Sequence, residues 1–243
     1  MYTNGMFRAY DKNGEISYSL GAFPTVELIK RRSEDVLSIA LHSKFRITDE
    51  VEAILESVKD KVITSDRAVE RVAKKGNTFM VGAFRKRYEG FETATHVCLV
   101  NPSDAGNLGT IMRTMLGFDV KNLCIVGESA DVYDPRAVRA SMGAVFALSV
   151  SLFETWEDYA KAHTEPKYLF MLDERSKPLG SVKAESPCAY VFGNEGSGLP
   201  SELAEAGTPI IITHTKEIDS LNLPQAVAIG LYEMTKDDFK RLP

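Results

Sequence analysis

Several features are scarce or missing in this chain of 243 residues. No apolar run approaches the roughly 20 residues that a membrane-spanning helix needs, and Met1-Tyr2-Thr3-Asn4-Gly5 lacks the basic-then-apolar order of a secretory signal. The expectation is a cytoplasmic protein with no membrane partner. Cysteine is rare, and Cys98, Cys124 and Cys188 stand far apart with no Cys-x-x-Cys pair. That excludes a disulfide framework and offers no zinc-ligand spacing, so no metal is expected and the thiols are expected to be buried and free. Excess positive charge is missing too: the formal net charge is −5, which argues against a protein that coats nucleic acid indiscriminately. Neither an internal repeat nor a low-complexity tract interrupts the sequence.

What is present suffices for a packed core, with 44% hydrophobic residues. Charge is unevenly spread. Residues 1–93 hold 16 Lys and Arg against 14 Asp and Glu, whereas 94–243 hold 13 against 20, so the first part is the better side for a polyanion. The rhythm changes near Gly90-Phe91-Glu92-Thr93, after Arg85-Lys86-Arg87, and a domain boundary is expected there. Residues 1–22, with Asn13-Gly14 between short alternations, predict a hairpin extension. Residues 23–93 predict a small α/β module: a helix over Thr25–Ser33, a strand over Val36–Leu41, a helix capped by Asp49 and running to about Lys59, a helix capped by Ser65, and a strand over Thr78–Phe84.

Over residues 94–243, strand-like runs at His96–Val100, Leu123–Val126, Val145–Val150, Tyr168–Leu172, Ala189–Phe192 and Ile210–Ile212 alternate with helical patterns. That alternation predicts a mostly parallel sheet covered on both faces, with ligands beyond the carboxyl ends of its strands. Three segments follow such runs: Asn101-Pro102-Ser103-Asp104-Ala105-Gly106-Asn107-Leu108-Gly109-Thr110-Ile111-Met112-Arg113-Thr114, Phe192-Gly193-Asn194-Glu195-Gly196-Ser197-Gly198-Leu199-Pro200, and Ser220-Leu221-Asn222. All three are expected to meet at one edge. The glycines of the second run G-x-x-G-x-G late in the chain, so the dinucleotide fingerprint is unsupported, and the phosphate-loop lysine is absent.

In combination, Asn107-x-Gly109-x-Ile111-x-Arg113-Thr114, Val138-Arg139-Ala140-Ser141-Met142-Gly143-Ala144, Phe192-Gly193-Asn194-Glu195-Gly196-x-Gly198-Leu199 and Ser220-Leu221-Asn222 resemble the SpoU (TrmH-like) branch of the SPOUT RNA methyltransferases. The resemblance spans roughly residues 95–235. Residues 23–88 also resemble the small ribosomal-protein-like RNA-binding module found before some such catalytic domains. The resemblance implies a knotted α/β catalytic domain over 94–243, its carboxyl-terminal part threaded into a trefoil knot, and a homodimer. It implies S-adenosylmethionine as methyl donor, held largely by backbone groups of Gly193, Ile212 and Leu221, with Asn194 and Gly198 beside them.

The implied reaction is methyl transfer to a ribose 2′-hydroxyl of RNA, with ribosomal RNA preferred and transfer RNA the runner-up. Such a transfer needs no metal but needs the acceptor oxygen in line with the methyl at about 3–3.5 Å. Arg113 is the marked catalytic residue, and binding phosphate while polarising the hydroxyl suits its permanent charge better than accepting a proton. Asn107 is expected to hold the ribose or orient Arg113, Glu195 to pair with Arg113 or support the donor loop, and Ser220 and Asn222 to fix the third loop. Candidate RNA contacts are Arg31, Arg32, Lys74, Lys75, Arg85, Arg87 and Arg139. The chain departs from the family pattern at Ile212-Thr213-His214, where Ile-Pro-Met is common, and at Lys216-Glu217, where a glycine often occurs. Two rival readings stand: an RNA-binding or assembly factor without turnover, and an unrelated doubly wound enzyme whose glycine loop serves phosphate.

Overall fold

A computed structural model describes residues 6–73 and 77–238. In chain order the first elements are β1 (Ile16–Leu20), α1 (Ala22–Arg32), β2 (Val36–Leu41), α2 (Asp49–Glu56), β3 (Val62–Thr64), α3 (Asp66–Val72) and β4 (Met80–Arg85). Then come β5 (His96–Val100), α4 (Ala105–Gly117), β6 (Asn122–Val126), α5 (Pro135–Ala140), β7 (Ser149–Phe153), α6 (Trp156–Ala162) and β8 (Lys167–Phe170). The last are β9 (Lys177–Pro178), β10 (Ala189–Phe192), β11 (Thr208–Ile211) and α7 (Leu223–Thr235). They form two compact units, one of residues 1–87 with 131–147 and one of 88–130 with 148–243. No helix among the described residues is long and apolar enough to cross a membrane.

The first unit is a four-stranded sheet in the order β1-β4-β2-β3. The stretch expected to make a hairpin contributes β1 instead, which pairs antiparallel with β4, Tyr18 facing Ala83. The reason is burial: Tyr18, Ala40, Val69, Val81 and Ala83 share one core with Phe7. Ser65 caps α3 as expected, its hydroxyl accepting from Ala68 N–H, whereas α2 is capped by Thr48, one residue before the expected Asp49.

Residues 131–147 belong to this unit through their polar contacts. The buried Lys86 ammonium lies 2.6 Å from Asp131, whose carboxylate also accepts from the Tyr10 hydroxyl. Arg32 donates to the Phe146 carbonyl at 3.0 Å and to the Tyr133 hydroxyl at 2.9 Å. The apolar run expected as a strand over Val145–Val150 is thereby divided. Its start is a 3-10 turn, Ala144–Ala147, with Val145 and Phe146 buried, and its end begins β7 in the second unit.

The second unit is a seven-stranded sheet in the order β7-β6-β5-β10-β8-β11-β9, with every pairing parallel. Every residue of the neighbouring strands β5 and β10 is buried, as expected for strands covered on both faces. Cys98, Cys124 and Cys188 are free and buried, and burial pushes the Cys98 thiol up to about 12.

Candidate active site

At the carboxyl ends of these strands, loops close around a cavity of about 300 Å3. β10 leads into Gly193-Asn194-Glu195-Gly196-Ser197-Gly198, β8 into Met171 and Leu172, and β11 into Ile212, with Asp219, Ser220 and Leu221 further along. Phe170, Phe192, Ile210 and Leu223 add apolar walls, the two phenylalanine rings stacking at 4.2 Å. Gly230 lets α7 approach these rings, since a Cβ there would press into Phe170.

The glycine loop is braced from within. Asn194 N–H donates to the Gly198 carbonyl at 3.2 Å and Gly198 N–H returns to Asn194 at 3.0 Å. Asn194 Oδ1 accepts from the N–H groups of Gly196 at 2.8 Å and Ser197 at 3.1 Å. Gly198 has a φ of 69°, in the left-handed region that suits glycine. A Cβ on Gly193 would overlap the backbone of Gly198 and Leu199, so no other residue fits this closure.

Hydrogen bonds tie this loop to the start of α4. Asn194 Nδ2 donates to the Asn101 carbonyl at 2.8 Å. The Glu195 carboxylate accepts from Ser103 N–H at 3.0 Å, the Ser103 hydroxyl at 2.9 Å, Asp104 N–H at 3.1 Å and Asn107 Nδ2 at 3.3 Å. Burial raises the Glu195 carboxyl, but the N–H groups of Ser103, Glu195 itself and Asp104, with the Ser103 hydroxyl, outweigh it and leave its pKa below the ordinary value of 4.5. An anion is therefore fixed at the start of α4, where the helix dipole also favours negative charge. Asp104 caps the helix, accepting from Asn107 N–H at 2.7 Å.

Gly193, Asn194, Gly198, Ile212 and Leu221, the expected donor contacts, all line the cavity, as do Glu195 and Ser220. Asn222 stands outside it as the exposed N-cap of α7. Asn107 faces Glu195 rather than Arg113, because six residues of helix set the two side chains roughly 120° apart. Glu195 likewise bonds the α4 entry, and Arg113 has no hydrogen-bond or ionic partner among the described residues. It stands exposed on α4.

Among the candidate RNA contacts, Arg32 must be set aside: it is 5% exposed and holds Tyr133 and Phe146. Lys74 and Lys75 lie outside the described residues. Arg85 is exposed, Arg31 is exposed beside Glu27, and Arg87 sits between Glu34 and Asp35. Arg139 is half-buried on α5, with a guanidinium N–H 3.5 Å from Asn77. The cavity also recruits residues that the motifs did not mark: Met171, Leu172, His214 and Asp219. His214 Nδ1–H donates to the Ile212 carbonyl at 2.9 Å. The signal for Met171 and Leu172 was their place at the end of a strand-like run.

Known proteins share both sequence and fold with this chain. It is 29% identical over 143 residues to the 23S rRNA (uridine(2479)-2′-O)-methyltransferase of Streptomyces viridochromogenes, covering 56% of this chain and 50% of that one. It is 31% identical over 153 residues to a tRNA (cytidine/uridine-2′-O-)-methyltransferase of Cronobacter sakazakii, covering 57% and 61%. The chain thus spans about half the length of the first curated relatives it matches. An AdoMet-bound rRNA methyltransferase from Sinorhizobium meliloti superposes with a TM-score of 0.77 at 24% identity, over 93% of this chain and 88% of that one, so the two share the fold. Residues 94–232, more than half of the chain and including the whole glycine loop, match the SpoU rRNA Methylase family. The chain belongs to that family.

Proposed function

We propose that this protein is an S-adenosylmethionine-dependent RNA methyltransferase that modifies a ribose 2′-hydroxyl, with ribosomal RNA as preferred substrate, acting as a cytoplasmic homodimer. The observation that carries the reading is the Glu195 carboxylate. It joins the loop that walls the cavity to the entry of the helix that bears Arg113.

The cavity suits the donor in shape and charge. Its apolar walls are Phe170, Phe192, Ile210 and Leu223, its rim carries backbone groups of the glycine loop, and Glu195 and Asp219 are its acidic members. When bound, S-adenosylmethionine supplies a methyl group on a cationic sulfur and leaves as neutral-sulfur S-adenosylhomocysteine. Gly193, Asn194, Gly198, Ile212 and Leu221 hold the donor, and the acidic side chains favour its positive charge over that of the product. Ser220 and Asn222 fix the third loop.

On the acceptor side, Glu195 and Asn107 set the position of α4, and Arg113 receives the RNA. Its guanidinium stays charged, so it binds phosphate and polarises the 2′-hydroxyl while the proton departs to water. Positioning is the larger part of the work. The exposed Ile229 (41%) and Tyr232 (58%) on α7 support burial against a second subunit, and the lone Arg113 supports completion of the site by that subunit or by RNA. Membership of the SpoU rRNA Methylase family supports a trefoil threading of the carboxyl-terminal part. The less acidic residues 1–93, with Arg31, Arg85 and Arg139 in the first unit, support RNA contact there. Transfer RNA is the second reading, favoured by the 31% identity to the Cronobacter sakazakii protein.

Calorimetry with S-adenosylhomocysteine, followed by labelled methyl transfer to separated ribosomal and transfer RNA, tests this reading. Binding with transfer to ribosomal RNA is expected. Absence of binding would remove the donor assignment, and binding without transfer would favour a non-catalytic RNA factor.

A further inference from the structure

At the amino ends of the same strands, a second group of ionisable side chains is buried away from the loops. His96 opens β5, His163 caps the end of α6, and Glu165 lies just before β8. They are 0%, 4% and 6% exposed, and a donor atom from each lies within 4.8 Å of the others. None lines the cavity. We propose that His96, His163 and Glu165 form a structural site for a divalent transition-metal ion of the zinc type.

The donor set is two imidazoles and a carboxylate, a combination zinc accepts with a fourth position left open. His96 is arranged as a ligand usually is: its Nδ1–H donates to the Ala94 carbonyl at 2.8 Å, leaving the Nε2 lone pair turned inward. Nε2 accepts from the Tyr159 hydroxyl at 2.8 Å, a bond that an ion bound to this nitrogen would displace. His163 Nδ1 and a Glu165 oxygen stand 3.4 Å apart. That is long for a charge-assisted hydrogen bond but matches the spacing of about 3.3 Å between ligands that share a tetrahedral ion at roughly 2.0–2.1 Å.

The setting also favours an ion. The Glu165 carboxylate accepts from Ala94 N–H at 3.2 Å and is gathered with the two imidazoles. Phe91, Phe153 and Tyr159 rings pack around them, which excludes water and strengthens coordination. Lys167 is the opposing cation. Its ammonium donates to the carbonyls of His163 at 2.7 Å and Glu165 at 3.3 Å. The bound ion would clamp the turn before β8 to the start of β5.

The test uses the full chain, stripped with chelator and titrated with zinc or, for spectroscopy, cobalt. One ion per chain is expected with a Kd below about 1 µM, together with the visible absorption of tetrahedral cobalt. The melting midpoint should rise by roughly 5 °C at 100 times the Kd. Glu165→Gln, which keeps both imidazoles, and His163→Gln should each weaken binding at least ~100-fold. His42→Ala is the control, because His42 lies 3.5 Å from Asp66 and 3.7 Å from Glu70 in the first unit. Zinc binding equally tight in Glu165→Gln, lost in His42→Ala, or absent from the unaltered chain would overturn the proposal. If His163→Gln fails to fold, Glu165→Gln still decides.

Discussion

From the His96, His163 and Glu165 cluster at their amino ends, β8 runs to Met171 and Leu172 at the cavity and β5 runs to Asn101, whose carbonyl accepts from Asn194 of the glycine loop. The two ends treat charge in opposite ways. At the carboxyl end, Glu195 is half-buried and its oxygens accept from several N–H and O–H donors, so the anion is stable without a counter-ion. At the amino end, Glu165 is 6% exposed among aromatic rings, with Ala94 N–H at 3.2 Å and His163 at 3.4 Å. The better-satisfied end is left with a cavity for a ligand, and the less-satisfied end has side chains placed for an ion. A buried carboxylate is thus a poor guide to function until its donors are counted.

The sharpest way to separate the two ends is Gly193→Val. Its side chain has no room against Gly198 and Leu199, so S-adenosylhomocysteine affinity should fall by more than about 100-fold in calorimetry while zinc binding stays unchanged. Glu195→Gln comes next. Losing the charge on this hydrogen-bonded group should cost roughly 1.5–3 kcal/mol, read as a 10- to 100-fold loss of methyl transfer with a smaller loss of donor binding.

The same carboxylate predicts an acid limb. Because its folded pKa lies below 4.5, its contribution is complete above 4.5 and is lost as pH falls through the lowered value. Hydrogen exchange of Ser103 and Asp104 amides should accelerate in that window, and Glu195→Gln should flatten the dependence. Smallest is Arg85→Ala, at an exposed position in the first unit. It should weaken RNA binding a fewfold and reduce the salt slope by about one, with both ends of the seven-stranded sheet unaffected.

Local chemistry made much of this legible from sequence. β5 and β10 were readable at their full lengths because every residue is buried and apolar runs break at Asn101 and Gly193. Asn101 turns with a φ of 53°, a conformation asparagine tolerates. What depended on distant partners was not readable. β1 finds β4 more than sixty residues away, and Arg32, basic beside Arg31, is buried only because Tyr133 and Phe146 come to it. Met171 and Leu172 end a legible strand-like run, but that this run lies between β10 and β11, and so at the cavity, is set by strand order. The meeting of His96 and His163 was equally illegible, because it is made across the fold rather than along the chain.

In the proposed mechanism the glycine loop holds the donor while Arg113, on the helix fixed by Glu195, acts on the RNA. Arg113→Ala assayed side by side for methyl transfer and for S-adenosylhomocysteine binding tests it most directly. Transfer should fall by on the order of 10²–10⁴ while donor affinity stays within about twofold, a difference of less than ~0.5 kcal/mol. Equal loss of transfer and donor binding, or full transfer without the guanidinium, would refute this division of labour.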